Sequence, residues 1–275
     1  MIRCSTIFWT IGTNSPGEIV ALAHALSPEE LARAERIPLR DLRERYLASQ
    51  GGLRVVLGHL LGLQPREVEI VGSTPNKPQI SGNRGHLEFN LSHSDNVAVV
   101  AVCMSAPIGV DIEATELTIE DDLARSILSE SEYEGIMQLS DVNERQIEMY
   151  RIWVRKEAAL KALGLGLAVD PSAVCVKLDA QGATCIKGND SMEPFGQDLV
   201  RIQDIPTIEG YASALAVVSG AAAYTVAPPV WINPAEMIAG EKPQLPRQQV
   251  SKRFEPLFSD RLLFERIGTL GDQQK

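Results

Sequence analysis

Trp153-Val154-Arg155-Lys156-Glu157-Ala158-Ala159-Leu160-Lys161-Ala162-Leu163-Gly164 is the stretch on which the reading of this chain turns. Alanine and leucine mixed with long charged residues, then Gly164 and Gly166, predict a helix and its stop. At 3.6 residues per turn, Trp153, Glu157 and Lys161 share one face. Upstream, Ile108-Gly109-Val110-Asp111-Ile112-Glu113 is β-branched and alternating, which predicts a strand with Asp111 and Glu113 on one side. If the two elements meet, three carboxylates and an ammonium converge. Oxygen-only ligands of that kind suit a hard divalent cation such as Mg²⁺, which keeps waters and shares its shell with substrate phosphates. The lysine then faces the same phosphates as a point charge. Taken separately, each motif has a plainer meaning. Glu157 and Lys161 at i, i+4 form the commonest solvated helix pair, worth about 0.3–0.5 kcal/mol, and Asp-x-Glu on a strand is usually a polar face.

A third element changes the balance: Phe89-Asn90-Leu91-Ser92-His93-Ser94, followed by the apolar run Val97–Val102. With Asn90-Leu91-Ser92-His93-Ser94, Gly109-Val110-Asp111-Ile112-Glu113 and Trp153-x-x-Lys156-Glu157-Ala158-x-x-Lys161-x-x-Gly164-x-Gly166-Leu167 in this order and spacing, the sequence resembles a 4′-phosphopantetheinyl transferase of the surfactin-synthetase-activating type. The resemblance covers residues 1 to about 225. It implies an α+β fold: a pseudodimer of two similar α+β halves, with the active site in the cleft between them. The expected layout is residues 1–107 for coenzyme A contacts, 108–227 for the Mg²⁺-binding carboxylates and lysine, and 228–275 as a polar C-terminal extension.

The same resemblance assigns roles. Asp111, Glu113 and Glu157 are the implied metal ligands. Arg45 and Arg33 fall where such enzymes hold the 3′-phosphate of coenzyme A, with Arg36 and Arg40 as competitors by alignment. Lys77 stands in Asn76-Lys77-Pro78, where the family has Gly-Lys-Pro. Ser92, His93, Lys156 and Lys161 complete the implied cofactor contacts, His93 being charge-assisted when protonated. Glu132, in Ser131-Glu132-Tyr133, aligns with a glutamate sometimes assigned to proton transfer; as a first-turn helix acid it needs no such role. The implied reaction moves 4′-phosphopantetheine from coenzyme A to a serine of an apo acyl or peptidyl carrier protein and releases adenosine 3′,5′-bisphosphate. Its catalytic groups are Glu157, Lys161 and Glu132, and the base is open among Glu157, Glu132 and a metal-held water. Two other readings remain: a non-catalytic relative that binds coenzyme A or a carrier, and another Mg²⁺-dependent phosphoryl-transfer enzyme.

Composition sets the bounds. With 275 residues and 44% hydrophobic content the chain can bury a substantial core. Cys4, Cys103, Cys175 and Cys185 form no C-x-x-C pair and no compact framework, which favours free thiols and a cytoplasmic location. The apolar segment Ile7–Ile11 is too short and too interrupted to be a secretory signal, and no run is long enough to span a membrane. Net charge is −10, but unevenly spread: six arginines face three acids between Arg33 and Arg54, while twelve acids face two arginines between Asp111 and Glu148. An acidic chain is a poor partner for nucleic acid, whereas a local arginine cluster suits a small polyanion. The expected protein is a monomer whose partners are coenzyme A and the carrier, with no nucleic acid and no membrane.

Local signals predict a strand over 5–11, a helix begun by Ser27-Pro28-Glu29-Glu30 and broken at Ile37-Pro38, and a long helix from about Asp41 to Leu61. A strand is expected over Val68–Val71, then strands Leu87–Leu91 and Val97–Met104 joined by a Ser92–Asn96 turn, helices within Leu123–Leu139, and short strands after the central helix. A long helix followed by strands thus occurs in both halves. From Pro228 the chain turns polar and proline-bearing, with Leu257–Leu263 either a short docking helix or part of a mobile extension.

Overall fold

The computed structural model describes residues 2–72, 77–82, 87–166, 169–178, 184–188, 200–219 and 222–238. In chain order the elements are β1 (Ile2–Thr10), α1 (Pro16–Ala23), α2 (Pro28–Glu35), α3 (Arg40–Leu61), β2 (Ile70–Val71), β3 (Gln79–Ile80), β4 (Leu87–Ser94), β5 (Val97–Met104), β6 (Ile108–Ala114), α4 (Asp121–Ile127), α5 (Glu130–Met137), α6 (Val142–Ala162), β7 (Val174–Leu178), β8 (Thr184–Gly188), β9 (Val200–Asp204), β10 (Tyr211–Val218), β11 (Tyr224–Val226), β12 (Val230–Trp231) and α7 (Pro234–Ile238). It is a mixed α+β architecture. Among the described residues one five-stranded sheet runs β11-β1-β5-β4, with β12 also pairing β1, and a second runs β6-β10-β9-β8-β7.

The burial pattern explains how these sheets stack. Strand β5, Val-Ala-Val-Val-Ala-Val-Cys-Met, shows no polar alternation because both of its faces are covered. Val97, Val99, Ala101 and Cys103 join Cys4 and Phe8 of β1, and Ile108, Val110, Ile112, Leu215 and Val217 of the second sheet, in one core between the sheets. The opposite residues, Ala98, Val100 and Val102 with Ile7 and Trp9, pack on Leu22, Leu53, Val56 and Leu57 of α1 and α3. Ala212, Ala214 and Ala216 of β10 face Val154, Ala158, Ala159 and Ala162 of α6. The order of layers is therefore helices, sheet, sheet, helices. Each fully buried aliphatic side chain in these layers contributes about 1.5–3 kcal/mol of transfer free energy.

This layering fixes which way β6 presents its acids. With Ile108, Val110 and Ile112 turned into the inter-sheet core, the period of two turns Gly109, Asp111 and Glu113 toward α6. Gly109 is what lets the helix come close: a Cβ there would lie 1.9 Å from the Ala158 carbonyl oxygen and 2.4 Å from the Ala162 nitrogen. No side chain fits that gap, so α6 sits low enough on β6 for Lys161 to reach the strand.

Three expectations need correction. Residues 228–238 are not a polar extension: β12 extends the first sheet in parallel with β1, Trp231 stacks on Phe8 at 5.2 Å between ring centroids, and Ala235 of α7 is buried in the core under α1 and α3. The first sheet thus draws on both ends of the described chain. Val68–Val71 pairs only over Ile70–Val71, because Pro65–Glu67 forms a tight helical turn. Helix α1 was not anticipated, although Ser15 and Glu18 form a reciprocal capping box with Pro16 at its first position. The apolar residues of α1 are there to cover α3. Among the described residues no helix is long and apolar enough to cross a membrane. Leu257–Leu263 lies outside the described residues.

Candidate active site

The two sheets meet where β4, the edge of the first, runs beside β6, the edge of the second. Edge strands carry unpaired backbone groups that must be satisfied when covered. Here side chains do it. Asn90 Oδ1 accepts from the Val110 N–H at 2.9 Å, and Ser94 Oγ accepts from the Ala114 N–H at 3.1 Å. Ser92 Oγ donates to Asp111 Oδ1 at 2.8 Å, and Ser94 Oγ donates to Glu113 Oε2 at 2.8 Å. Residues 90, 92 and 94 are two apart, so all three leave β4 on the face toward β6.

Helix α6 closes the third side. Lys161 Nζ donates to Asp111 Oδ1 at 2.5 Å and to Ser92 Oγ at 3.2 Å, with the Val110 carbonyl at 3.5 Å. Asp111 is 2% exposed, and its Oδ2 has no hydrogen-bond partner among the described residues. Burial pushes its pKa upward against the pull of Lys161 and Ser92. Glu113 is raised to about 7, first by burial and then by the Asp111 charge, with Glu157 adding to it. Glu157 is raised by burial and by Asp111, while Lys161 opposes the shift. The three carboxylates are thus near enough to repel one another, with Lys161 among them.

Cationic groups line the β4 side. Arg45 of α3 donates to the Asp95 carbonyl and to Asp95 Oδ1, both at 3.1 Å. His93 projects from β4 beside it; crowding by protein, then Lys161 and Arg45, hold its imidazole below the ordinary histidine range, with Asp111 opposing. The free chain therefore disfavours the imidazolium on which a charge-assisted contact depends. Arg33 lies with its guanidinium 5.8 Å from the Tyr46 ring centroid, one residue along from Arg45. Arg40 is exposed and paired with Glu44, and Arg36 is the exposed cap of α2. Lys77 sits at the other end of β6, donating to the Ile108 carbonyl at 2.8 Å and facing Glu88 at 3.6 Å. A cavity of about 540 Å³ beside it is lined by Pro78, Ile80, Glu88 and Phe89.

Three sequence assignments are revised by these contacts. Ser92 gives its proton to Asp111 and accepts from Lys161, so in the free chain its hydroxyl orients the acid. Lys156 is fully buried: its ammonium reaches Glu132 Oε2 at 2.6 Å, the Ile127 carbonyl at 2.7 Å and the Pro171 carbonyl at 3.0 Å. Glu132 spends its oxygens on Lys156, on the Val176 N–H at 2.7 Å and on its own helix start at Ser129. A residue and its successor point about 100° apart on a helix, so Lys156 leaves α6 toward α5 and β7 while Glu157 faces β6. Glu132 and Lys156 are a structural ion pair, apart from the carboxylate group. Glu132→Gln accordingly lowers stability by about 3 kcal/mol, the cost of stranding a buried ammonium. The protein that stays folded keeps a near-normal turnover number. Thermal melts alongside transfer kinetics check this; a hundredfold loss of turnover at unchanged melting temperature would return Glu132 to the chemistry.

Among the described residues, no group of three or more His, Cys, Asp and Glu side chains is drawn together closely enough to hold a metal ion as the side chains stand. The donor chemistry nevertheless fits a hard cation. The three groups offer carboxylate oxygens alone, one buried oxygen of Asp111 has no partner among the described residues, and burial raises the proton affinity of all three, with the Asp111 charge adding to it at Glu113 and Glu157. A divalent cation relieves each of these costs at once.

Comparison with known proteins follows the same outline. The family model of the 4′-phosphopantetheinyl transferase superfamily matches residues 107–216, a span from β6 to β10 that includes Asp111, Glu113, Glu157 and Lys161. The chain is 39% identical over 165 residues to the 4′-phosphopantetheinyl transferase HetI of Nostoc sp., covering 58% of this chain and 69% of that protein. It is 30% identical over 181 residues to a 4′-phosphopantetheinyl transferase of Bacillus subtilis, covering 66% and 79%. Similarity to the Bacillus subtilis transferase Sfp is 28% over 169 residues, covering 62% and 74%.

Proposed function

The chain belongs to the 4′-phosphopantetheinyl transferase family, and from that premise we propose that it moves the 4′-phosphopantetheine group of coenzyme A onto a serine of an apo acyl or peptidyl carrier protein. The observation that carries this reading is the convergence of Asp111, Glu113, Glu157 and Lys161 at one seam, with His93 and Arg45 beside it. Each of the two five-stranded sheets is covered by one long outer helix, 22 residues in α3 and 21 in α6. We read the pair as a pseudodimer with the site at its seam, β11 and β12 returning from the C-terminal side to complete the first sheet. The free thiols Cys4, Cys103 and Cys175 suit a cytoplasmic enzyme, acting as a monomer.

In this reading Asp111, Glu113 and Glu157 would hold Mg²⁺, which would supply charge neutralisation for the phosphates of coenzyme A. Lys161, one-quarter exposed, turns from Asp111 toward the same phosphates when they arrive. Arg45 and Arg33 take the 3′-phosphate, and a phosphate beside His93 favours its imidazolium, making that contact charge-assisted. The carrier serine oxygen forms a bond to the β-phosphorus as the bond from that phosphorus to the bridging oxygen breaks, and adenosine 3′,5′-bisphosphate leaves. A serine hydroxyl is a weak nucleophile and needs its proton removed. Of the two glutamates the resemblance offers for this role, Glu132 is committed to Lys156, which leaves Glu157 as the acceptor. The hydrogen-bonded seam at β4 and β6 anchors Asp111 and Glu113 before substrate arrives, which limits the reorganisation left to Lys161 and Glu157.

The test is incubation with coenzyme A, Mg²⁺ and a panel of apo carrier proteins, read by mass spectrometry for covalently added phosphopantetheine. Transfer to at least one carrier serine, abolished by chelator, is the expected result. Coenzyme A binding with no modification of any carrier would mark a non-catalytic relative. Cleavage of coenzyme A without a carrier would mark a hydrolase.

A further inference from the structure

We propose that Ser94 is a positioning residue for divalent-cation binding, holding the carboxylate of Glu113 in the orientation the ion requires. This rests on the reading of Asp111, Glu113 and Glu157 as the ion's ligands. The argument is geometric. A serine hydroxyl has one proton to give and can accept from more than one side. At Ser94 one accepted bond is fixed by the backbone, since the Ala114 N–H lies 3.1 Å from Oγ. That amide belongs to β6 itself, so the oxygen is tied to the strand that carries Glu113. The remaining proton goes to Glu113 Oε2 at 2.8 Å. Ser94 therefore bridges main chain and carboxylate of adjacent residues, and one oxygen of Glu113 is anchored while the other is left for a ligand.

Ser92 does the equivalent for Asp111. Its proton goes to Oδ1 at 2.8 Å, and Oδ2 is the buried oxygen without a partner among the described residues. Asn90 completes the series by holding the Val110 N–H, the amide just before Asp111. Three polar residues spaced by two on β4 thus register β6 against the first sheet and aim both of its acids. Glu113 needs such a tether more than Asp111 does. It carries one more rotatable bond and lies partly exposed near the end of the strand, and no lysine is bonded to it as Lys161 is to Asp111. An untethered glutamate is repelled by Asp111 and swings outward. Outer partners of metal ligands are commonly worth 10–100-fold in affinity.

Binding of Mn²⁺ to the full chain in the presence of coenzyme A, followed by the loss of the free-ion paramagnetic resonance signal, provides the readout apart from activity. Ser94→Ala is expected to weaken Mn²⁺ binding about tenfold or more. Ser94→Thr keeps the hydroxyl and is expected to bind within about threefold of the wild type, since only the oxygen is required of this position. Wild-type affinity in Ser94→Ala would overturn the inference while leaving the metal reading intact. Equal weakening in both variants would overturn it too, because a loss that the hydroxyl does not rescue is one of packing. A wild-type chain that binds no Mn²⁺ and transfers phosphopantetheine in chelator would overturn the metal reading, and the inference with it.

Discussion

Asp111→Asn should lower the transfer rate by at least about a thousandfold, several kcal/mol in the barrier, and leave the fold intact. The substitution preserves shape and one acceptor, so the Ser92 hydroxyl keeps a partner at the 2.8 Å position. What it removes is charge, and charge is what the site uses: toward the cation through the free Oδ2, and toward Lys161 at 2.5 Å. Breaking a buried ion pair ordinarily costs 3–5 kcal/mol. That cost is reduced here for two reasons. Lys161 keeps one-quarter of its side chain exposed and so retains access to water, and burial already disfavours the Asp111 carboxylate, which is why its pKa runs upward. Melting should therefore shift by only a few degrees while activity disappears. Transfer kinetics and calorimetry on the same preparation decide it. Near-normal turnover in Asp111→Asn would show that the aspartate is not needed for the ion or the chemistry, and a chain that no longer folds would show that the seam is structural first.

How much of this was legible in the letters depends on the kind of fact. The acids of β6 and the Glu157–Lys161 face of α6 could be placed from periodicity, because a strand sorts its side chains by two and a helix by 3.6 regardless of neighbours. That the two elements meet follows from small residues: Gly109 opposite Ala158 and Ala162 permits a close approach, and Gly109 was visible as a residue, though its partner was not. The pairing of Lys156 with Glu132 was hidden for a related reason. Lys156 adjoins Glu157 in sequence, but adjacency on a helix points side chains apart, and nothing local announces that an exposed-looking glutamate on α5 is its buried counterion. Asn90 and Ser94 were quoted as a motif without a mechanism, and Ser92 as a cofactor contact. Their alternation was the available signal; that they face a strand edge of the other sheet is a long-range fact. The C-terminal return of β12 and α7 was hidden by composition, since the prolines between 228 and 234 suggest an extension, while Trp231 and Ile232 are what bring that segment back to β1.

With metal chelated, the chain should lose stability as pH rises from about 5 to 8, and a divalent cation should remove most of that loss. The sign comes from the site acids. Glu113 has an ordinary value of 4.5, raised to about 7 by burial and by Asp111. Between those values the folded chain binds a proton that the unfolded chain has released, so the stabilisation is complete below about 4.5 and is lost as pH climbs through about 7. At 1.36 kcal/mol per unit the loss is on the order of 2–3 kcal/mol, the lower figure allowing for solvent at this partly exposed group. Glu157 and Asp111, also raised, add to it in the same direction. His93 works the other way: its lowered value means stability is lost as pH falls, so it blunts the acid side of the curve without reversing the trend. For a chain of this size the expected fall in melting temperature is roughly 4–9 °C. Mg²⁺ or Mn²⁺ binds only the ionised, folded site and restores stability by mass action, most strongly at the alkaline end. Glu113→Gln should flatten most of the slope, raise the melting temperature at pH 8 in chelator, and blunt the response to added cation. A wild-type melting temperature that rises between pH 5 and 8 in chelator would mean that Glu113 already has a compensating charge in the free protein, and the case for a cation at this seam would lose its electrostatic ground.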